Sequence, residues 1–194
     1  MVKADKQLFE WINGLVSRSG IVDELGKFLA SDFFLPVLIA LGTLGMWFAG
    51  KSFLDRLRNQ MGFIYAAGGA GVANLIVRIL NNQFDRPRPF VAMEDVKVLL
   101  YMPTDPSLPS NAATYAFAMA TGVWLTNRRW GMVIGVAALL FSLARVYAGM
   151  HFPLDVVTGA LVGVLTTYTF SKLLGMLQPI LNLAFRMLRT LFLA

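Results

Sequence analysis

Residues 144–170 read ARVYAGMHFPLDVVTGALVGVLTTYTF: Arg145, His151 and Asp155 stand at the front of an apolar run. From Pro153 to Phe170 that run is of bilayer length, since a spanning helix takes roughly 17–25 residues. Pro153 suits the first helical position, which puts His151 at the helix entrance and Asp155 in its first turn. A carboxylate inside a membrane helix is costly without a partner, so Asp155 points to function rather than packing. A carboxylate four residues after an imidazole can hold one ring nitrogen and leave the other free to attack. His151 is the chain's single histidine. Lone histidines are commonly structural, but Arg145 and Asp155 at this spacing favour chemistry.

The rest of the chain agrees that lipid is the solvent. Of 194 residues, 57% are hydrophobic and 14% charged, with a mean hydropathy of +0.62; a soluble domain carries about 25% charged residues. The length suits one compact unit over 1–194. A net charge of +6 would serve nucleic acid only if Lys and Arg clustered on one face. Here they sit in short loops between apolar runs, so no nucleic-acid partner is expected. There are no cysteines, which excludes disulfides and thiolate metal sites. The N-terminal MVKADKQLFEWING has no cleavable apolar core, and the whole chain is read as mature.

Working outward, five spans are expected near Phe33–Gly50, Gln60–Leu80, Asn111–Thr126, Trp130–Tyr147 and Pro153–Phe170. Lys6–Ala30 mixes apolar with charged positions and suits interfacial helices, placing these over 1–31 and the core spans over 32–172. The tail over 173–194 is either the end of a long last helix or an interfacial one. The fold class is therefore all-α, a polytopic membrane bundle of about five or six spans. Lys51, Arg56, Arg58, Arg128, Arg129, Lys172, Arg186 and Arg189 fall on one side against Asp55 alone. The positive-inside rule puts that side in the cytoplasm. The loops holding Arg88, Ser110 and His151 then face outward.

Two further polar clusters lie on that outer side. Asn81-Asn82-Gln83-Phe84-Asp85-Arg86-Pro87-Arg88-Pro89 alternates Arg with Pro, which stiffens the backbone. Its guanidinium groups can grip phosphate oxygens as a fork or lie among lipid headgroups. In Asp105-Pro106-Ser107-Leu108-Pro109-Ser110-Asn111-Ala112-Ala113-Thr114, Ser110 is a good N-cap. The N–H groups of such a helix end attract anions. Asn74 and Arg78 sit four residues apart on one face of the second span, where Arg78 either snorkels or supports the site from below.

Together the three clusters resemble the type 2 phosphatidic acid phosphatase family of membrane lipid phosphatases. That family shares its active-site pattern with soluble vanadium haloperoxidases and class A bacterial acid phosphatases. Its motifs run Lys, six residues, Arg-Pro; then Pro-Ser-x-His; then Ser-Arg, five residues, His, three residues, Asp. Arg88-Pro89, Pro109-Ser110 and the set Arg145, His151, Asp155 match in order and spacing. The surroundings look most like the short bacterial branch acting on undecaprenyl diphosphate. The resemblance implies that His151 is the nucleophile forming a phosphohistidine and that Asp155 orients it. Arg88, Arg145, Ser110, Asn111 and Asn81 would hold phosphoryl oxygens. It implies no metal and no cofactor. The implied partners are a lipid phosphate or diphosphate and the bilayer, in a bacterial or archaeal plasma membrane.

Three positions depart from the pattern. Asn81 replaces the lysine of the first motif, Ala144 the serine of the third, and Ala112 the histidine of the second. That histidine is the family's general acid, which contributes about 10²–10⁴-fold in rate. An alkoxide, whose parent pKa is near that of water at about 15.7, leaves slowly without a proton donor. A phosphate leaving group, with a second pKa of about 6, leaves without much help. Ala112 therefore tilts the expected substrate toward lipid diphosphates. Two alternatives stay open: an engineered inactive variant, or a family member that binds or moves phospholipid without turnover.

Overall fold

A computed structural model of the chain describes residues 3–177; most of the expected tail helix over 173–194 lies outside them. All regular elements among the described residues are helices. Two short ones come first, α1 (Lys3–Asn13) and α2 (Gly20–Ala30). The bundle follows as α3 (Phe34–Phe48), α4 (Phe53–Phe84), the single-turn α5 (Pro89–Ala92), α6 (Asn111–Trp124), α7 (Arg128–Tyr147) and α8 (Pro153–Gly175).

Helix direction alternates through the bundle. The Tyr115 hydroxyl of α6 donates to Pro36 O of α3 at 3.2 Å, so these two helices start at the same end. The side chains of Asn59 and Gln60 in α4 donate to Ala49 O and Trp47 O at 3.0 and 3.4 Å, joining the end of α3 to the start of α4. Asn127, just before α7, reaches Asn59 Oδ1 at 3.4 Å. Ser110 N donates to Asp155 O at 2.9 Å, bringing the starts of α6 and α8 together. The end of α4, the starts of α6 and α8 and the end of α7 thus meet at one end of the bundle. Lys51, Arg56, Arg58, Arg128 and Arg129 lie at or near the other.

Five spans were expected, and the helices meet that expectation unequally. Three are long and apolar enough to cross a bilayer, namely α4 with its continuation to Ala92, α7 and α8; α2 and α3, bent by 47° at their junction, reach that length only when taken together. The exception is α6, whose 14 residues rise only about 21 Å against a hydrocarbon core of about 30 Å. It can be short because helices rather than lipid surround it. Ala113, Ala116, Ala118, Ala120 and Gly122 are buried, and α4, α7 and α8 all pack against it. At Gly159 and Gly163 of α8, a Cβ would run into Ser110 O and Thr114 O. Small residues there let the backbones of α6 and α8 approach closely, as association in lipid requires.

The N-terminal helices lie against the site end. Phe9 of α1 packs edge-on to Phe152, with ring centroids 5.2 Å apart. The Asn13 amide donates to Lys97 O and Tyr147 O, both at 2.9 Å. Leu8, Trp11, Ile21, Val22, Leu25 and Phe28 remain on the outside, an apolar face that suits contact with lipid.

Candidate functional site

The spacing of the third cluster follows from how α7 ends and α8 begins. Arg145 lies in the last turn of α7, where its charge suits the helix dipole, and its carbonyl accepts Met150 N at 3.0 Å. Gly149 then turns the chain with φ of +80°, as helix C-termini commonly require. A Cβ there would press on Lys97 O at 2.7 Å, so glycine is needed twice over. Phe152 is the N-cap of α8, and Asp155 reaches back to accept Phe152 N at 2.8 Å. His151 is thereby fixed between two helix ends, 2% exposed.

His151, Arg88, Arg145, Asn111 and Ala112 line one cavity of about 310 Å³, with Asp32, Asp105 and Tyr101 also on its wall. Arg88 Nη1 lies 3.3 Å from His151 Nε2 and donates to Met150 O at 2.9 Å. Its other nitrogens donate to Asp105, Nε to the carbonyl at 2.9 Å and Nη2 to the carboxylate at 3.0 Å. Arg145 donates from Nη2 to Asp32 Oδ1 at 2.8 Å and from Nη1 to Ala30 O at 3.1 Å. Its Nε–H is buried with no acceptor among the described residues. Ser110 caps α6 by accepting Ala113 N; the N–H groups of Asn111 and Ala112, which α6 cannot satisfy itself, remain at the cavity wall.

The imidazole is oriented differently from the expectation that Asp155 would hold it. His151 Nδ1 lies 3.1 Å from Ser107 O, whereas Asp155 Oδ2 stands 3.8 Å away, beyond hydrogen-bond reach. Both neighbours are acceptors, so Nδ1 carries the proton and Nε2 keeps its lone pair. The Asp155 carboxylate is used elsewhere. It accepts from Ser107 Oγ, Phe152 N and Arg86 Nη1, the last at 2.6 Å. It positions Ser107, and through Ser107 O the ring.

Two other expected phosphate ligands do not line this cavity. Ser110 is fully buried, with its hydroxyl committed to the cap. Asn81, its amide nitrogen facing the Leu108–Pro109 turn, donates to Leu108 O at 2.7 Å and Pro109 O at 3.1 Å; it braces the loop before α6. Ala144, at the expected serine position, is buried against Ala30, Ala148 and Met150.

Arg86, expected with Arg88 as one arm of a phosphate fork, turns away from this cavity to buried carboxylates instead, and Asp5 joins it without any expectation from sequence. Arg86 forks between Asp155 Oδ1 at 2.6 Å and Asp5 Oδ2 at 2.5 Å, while its guanidinium stacks 4.4 Å over the Phe152 ring. Asp5 Oδ1 also accepts Leu154 N at 2.8 Å across 149 residues of sequence. Removing the cation would leave two buried carboxylates facing one another. Breaking such a group costs about 3–5 kcal/mol, so Arg86→Met is expected to lower the Tm of the detergent-solubilised protein sharply, with Asp5→Asn milder. Equal melting of Arg86→Met and the parent would contradict this.

Burial pushes the His151 imidazole below its ordinary value of 6.5. Asp155 opposes that shift, and the positive charges of Arg88 and Arg145 reinforce it. The ring is therefore neutral at pH 7 with Nε2 unprotonated. As pH falls, protonation removes the lone pair, and the depressed value moves that loss to below pH 6.5. The kcat/KM of any reaction using Nε2 should hold steady through pH 6.5 and fall only beneath it, since this ratio reports the free enzyme. An acidic limb centred at or above 6.5 would contradict the assignment.

Apolar helices joined at an arginine-walled cavity with a neutral buried imidazole define a membrane phosphatase framework. The chain belongs to the PAP2 superfamily, whose family model matches residues 62–178, and is an integral membrane protein of the lipid phosphatase class. Undecaprenyl-diphosphatase BcrC of Bacillus subtilis is 28% identical over 181 residues, covering 93% of this chain and 89% of that protein. The crystal structure of Aquifex aeolicus LpxE matches with a TM-score of 0.68 and 26% identity, over 87% of this chain and 94% of that one. A transmembrane PAP2 type phosphatidylglycerolphosphate phosphatase from Bacillus subtilis shares the fold with a TM-score of 0.60 and 23% identity, over 90% and 88% of the two chains.

Proposed function

We propose that this chain hydrolyses a lipid diphosphate, of the polyprenyl type, through a phosphohistidine and without a metal, on the extracytoplasmic face of the membrane. The observation that carries this reading is His151 Nε2, unprotonated and 3.3 Å from Arg88 Nη1, in a cavity where the Arg145 Nε–H is buried and unpaired. Nε2 attacks the terminal phosphorus. The bond to the bridging oxygen breaks, and its electron pair leaves with the lipid monophosphate. Water then attacks the same phosphorus and cleaves the P–N bond; inorganic phosphate departs and the surplus proton passes to solvent. The equatorial oxygens take N–H donors from Arg88, Arg145 and the first turn of α6, which stabilise the charge gathered in the transition state. Charge-assisted bonds of this kind are the strong class. Placement outside the cytoplasm is supported by the basic residues at the opposite end of the bundle.

Ala112 supports a second reading, in which the cavity binds a phospholipid headgroup without turnover, because no imidazole stands there to protonate a leaving alkoxide. Phosphate release from purified protein, with matched lipid mono- and diphosphates, separates the two. Release from the diphosphate supports hydrolysis. Tight binding of both with release from neither would overturn it.

A further inference from the structure

A second cavity, of about 490 Å³, adjoins the first and shares Asp105 and Asn111 with it; its other wall is Asn74, Arg78, Asn81 and Asn82 of α4, closed by Pro106. Asn74, Arg78 and Asn82 recur every fourth residue, so they form one stripe along the outer end of α4. Every lining side chain but the proline is polar, on a helix that is otherwise long and apolar enough to span. Arg78 is six residues short of Phe84, where α4 ends, about 9 Å along the axis. Its guanidinium makes no hydrogen bond or ion pair with any other described residue. Its side chain is exposed at the mouth of this cavity, and an unpaired guanidinium there is a natural partner for a phosphate oxygen. A diphosphate can extend across two adjoining pockets, and these two share Asp105 and Asn111 as a common wall.

We propose, building on the hydrolase reading above, that this second cavity is the subsite for the lipid-linked phosphate of a diphosphate substrate. Arg78 receives the charge that appears on the leaving group, and the Asn74, Asn82 and Asn111 amides supply neutral donors. His151 attacks the terminal phosphorus in the first cavity. The bridging oxygen and its electron pair then pass into the second, where the guanidinium neutralises them without a proton transfer. This gives the chain with Ala112 a means of expelling phosphate that it lacks for an alkoxide. Asp105 stands on the shared wall as the one opposing charge. Its side chain is paired with Arg88 and 47% exposed, so it is free to turn outward when phosphate takes its place.

The test uses binding, so that it stands apart from turnover. A non-hydrolysable isoprenoid methylene-diphosphonate and the matching monophosphonate are titrated against parent and Arg78→Gln protein in detergent micelles. The variant is expected to bind the diphosphonate about 10- to 100-fold more weakly, the range for losing one charged hydrogen-bonding group. Monophosphonate binding should stay within about twofold, and it reports that the first cavity is intact. Equal weakening for both ligands, or no change for either (the outcome for an arginine that only snorkels to headgroups), overturns the subsite. Phosphate release from the corresponding diphosphate is measured alongside. Its absence in the parent would sink the hydrolase reading while leaving the two-pocket binding result to be judged alone.

Discussion

His151→Gln is expected to reduce phosphate release from a lipid diphosphate by on the order of 10⁴-fold or more, the scale of losing a covalent nucleophile. Glutamine keeps similar bulk and a donor toward Ser107 O but has no nucleophilic lone pair to place opposite Arg88. No neighbour can substitute for it. The carboxylates of Asp32 and Asp105 are paired with Arg145 and Arg88, and the Tyr101 hydroxyl donates to Asp32 at 2.5 Å, with burial and that bond pushing its pKa up. Both guanidinium groups remain, so affinity for a lipid phosphonate should change by less than about threefold. The parent should accumulate an acid-labile, histidine-linked phosphate under a rapid quench, and the variant none. Turnover of His151→Gln within tenfold of the parent would remove the imidazole from the chemistry.

What the sequence could and could not disclose divides by distance along the chain. Arg145, His151 and Pro153 are legible because one helix end, one glycine turn and one helix start fix their relations locally. Ser110 is legible as a cap for the same reason, although the cap itself takes its hydroxyl out of the phosphate cavity. The spacing of His151 and Asp155 misleads in one respect. Four residues place a carboxylate near the ring, but the first turn of α8 aims it back at Phe152 N, and Ser107 O of the loop before α6 takes the ring instead. Asp5 has no local signal, and the Arg-Pro alternation that marks Arg86 suggests a phosphate fork rather than its carboxylate partners. An acidic residue in an amphipathic N-terminal helix reads as a solvated face, and only the packing of Phe9 on Phe152 brings it beneath α8. Asp32 sits at the break between α2 and α3, where sequence marks a boundary but not a partner for Arg145. Hydropathy marks Asn111–Thr126 as a short apolar run but does not show what surrounds it. Its alanines and Gly122 are the cue that helices, rather than lipid, lie on every side.

Ala112→His is expected to raise phosphate release from a lipid monophosphate by about 10²–10⁴-fold, the usual contribution of a positioned general acid, and from the matching diphosphate by less than about tenfold. Ala112 is half-buried in the first turn of α6 and lines the same cavity as His151. An imidazole there needs no new space in the core. The asymmetry between substrates comes from the leaving groups. An alkoxide with a parent pKa near 15.7 gains nearly the full value of a proton donor, whereas a phosphate with a second pKa of about 6 is stable on departure. The position is also held by cation chemistry, with Arg88 and Arg145 nearby, so the introduced ring must compete with two positive charges for its proton. Its benefit should therefore fade above neutral pH, giving an alkaline limb on the monophosphate profile that the parent lacks. Equal gains on both substrates would show that departure of the leaving group limits both reactions and would undo the argument from pKa. No gain on either, with lipid binding preserved, would instead assign the chain to binding without turnover.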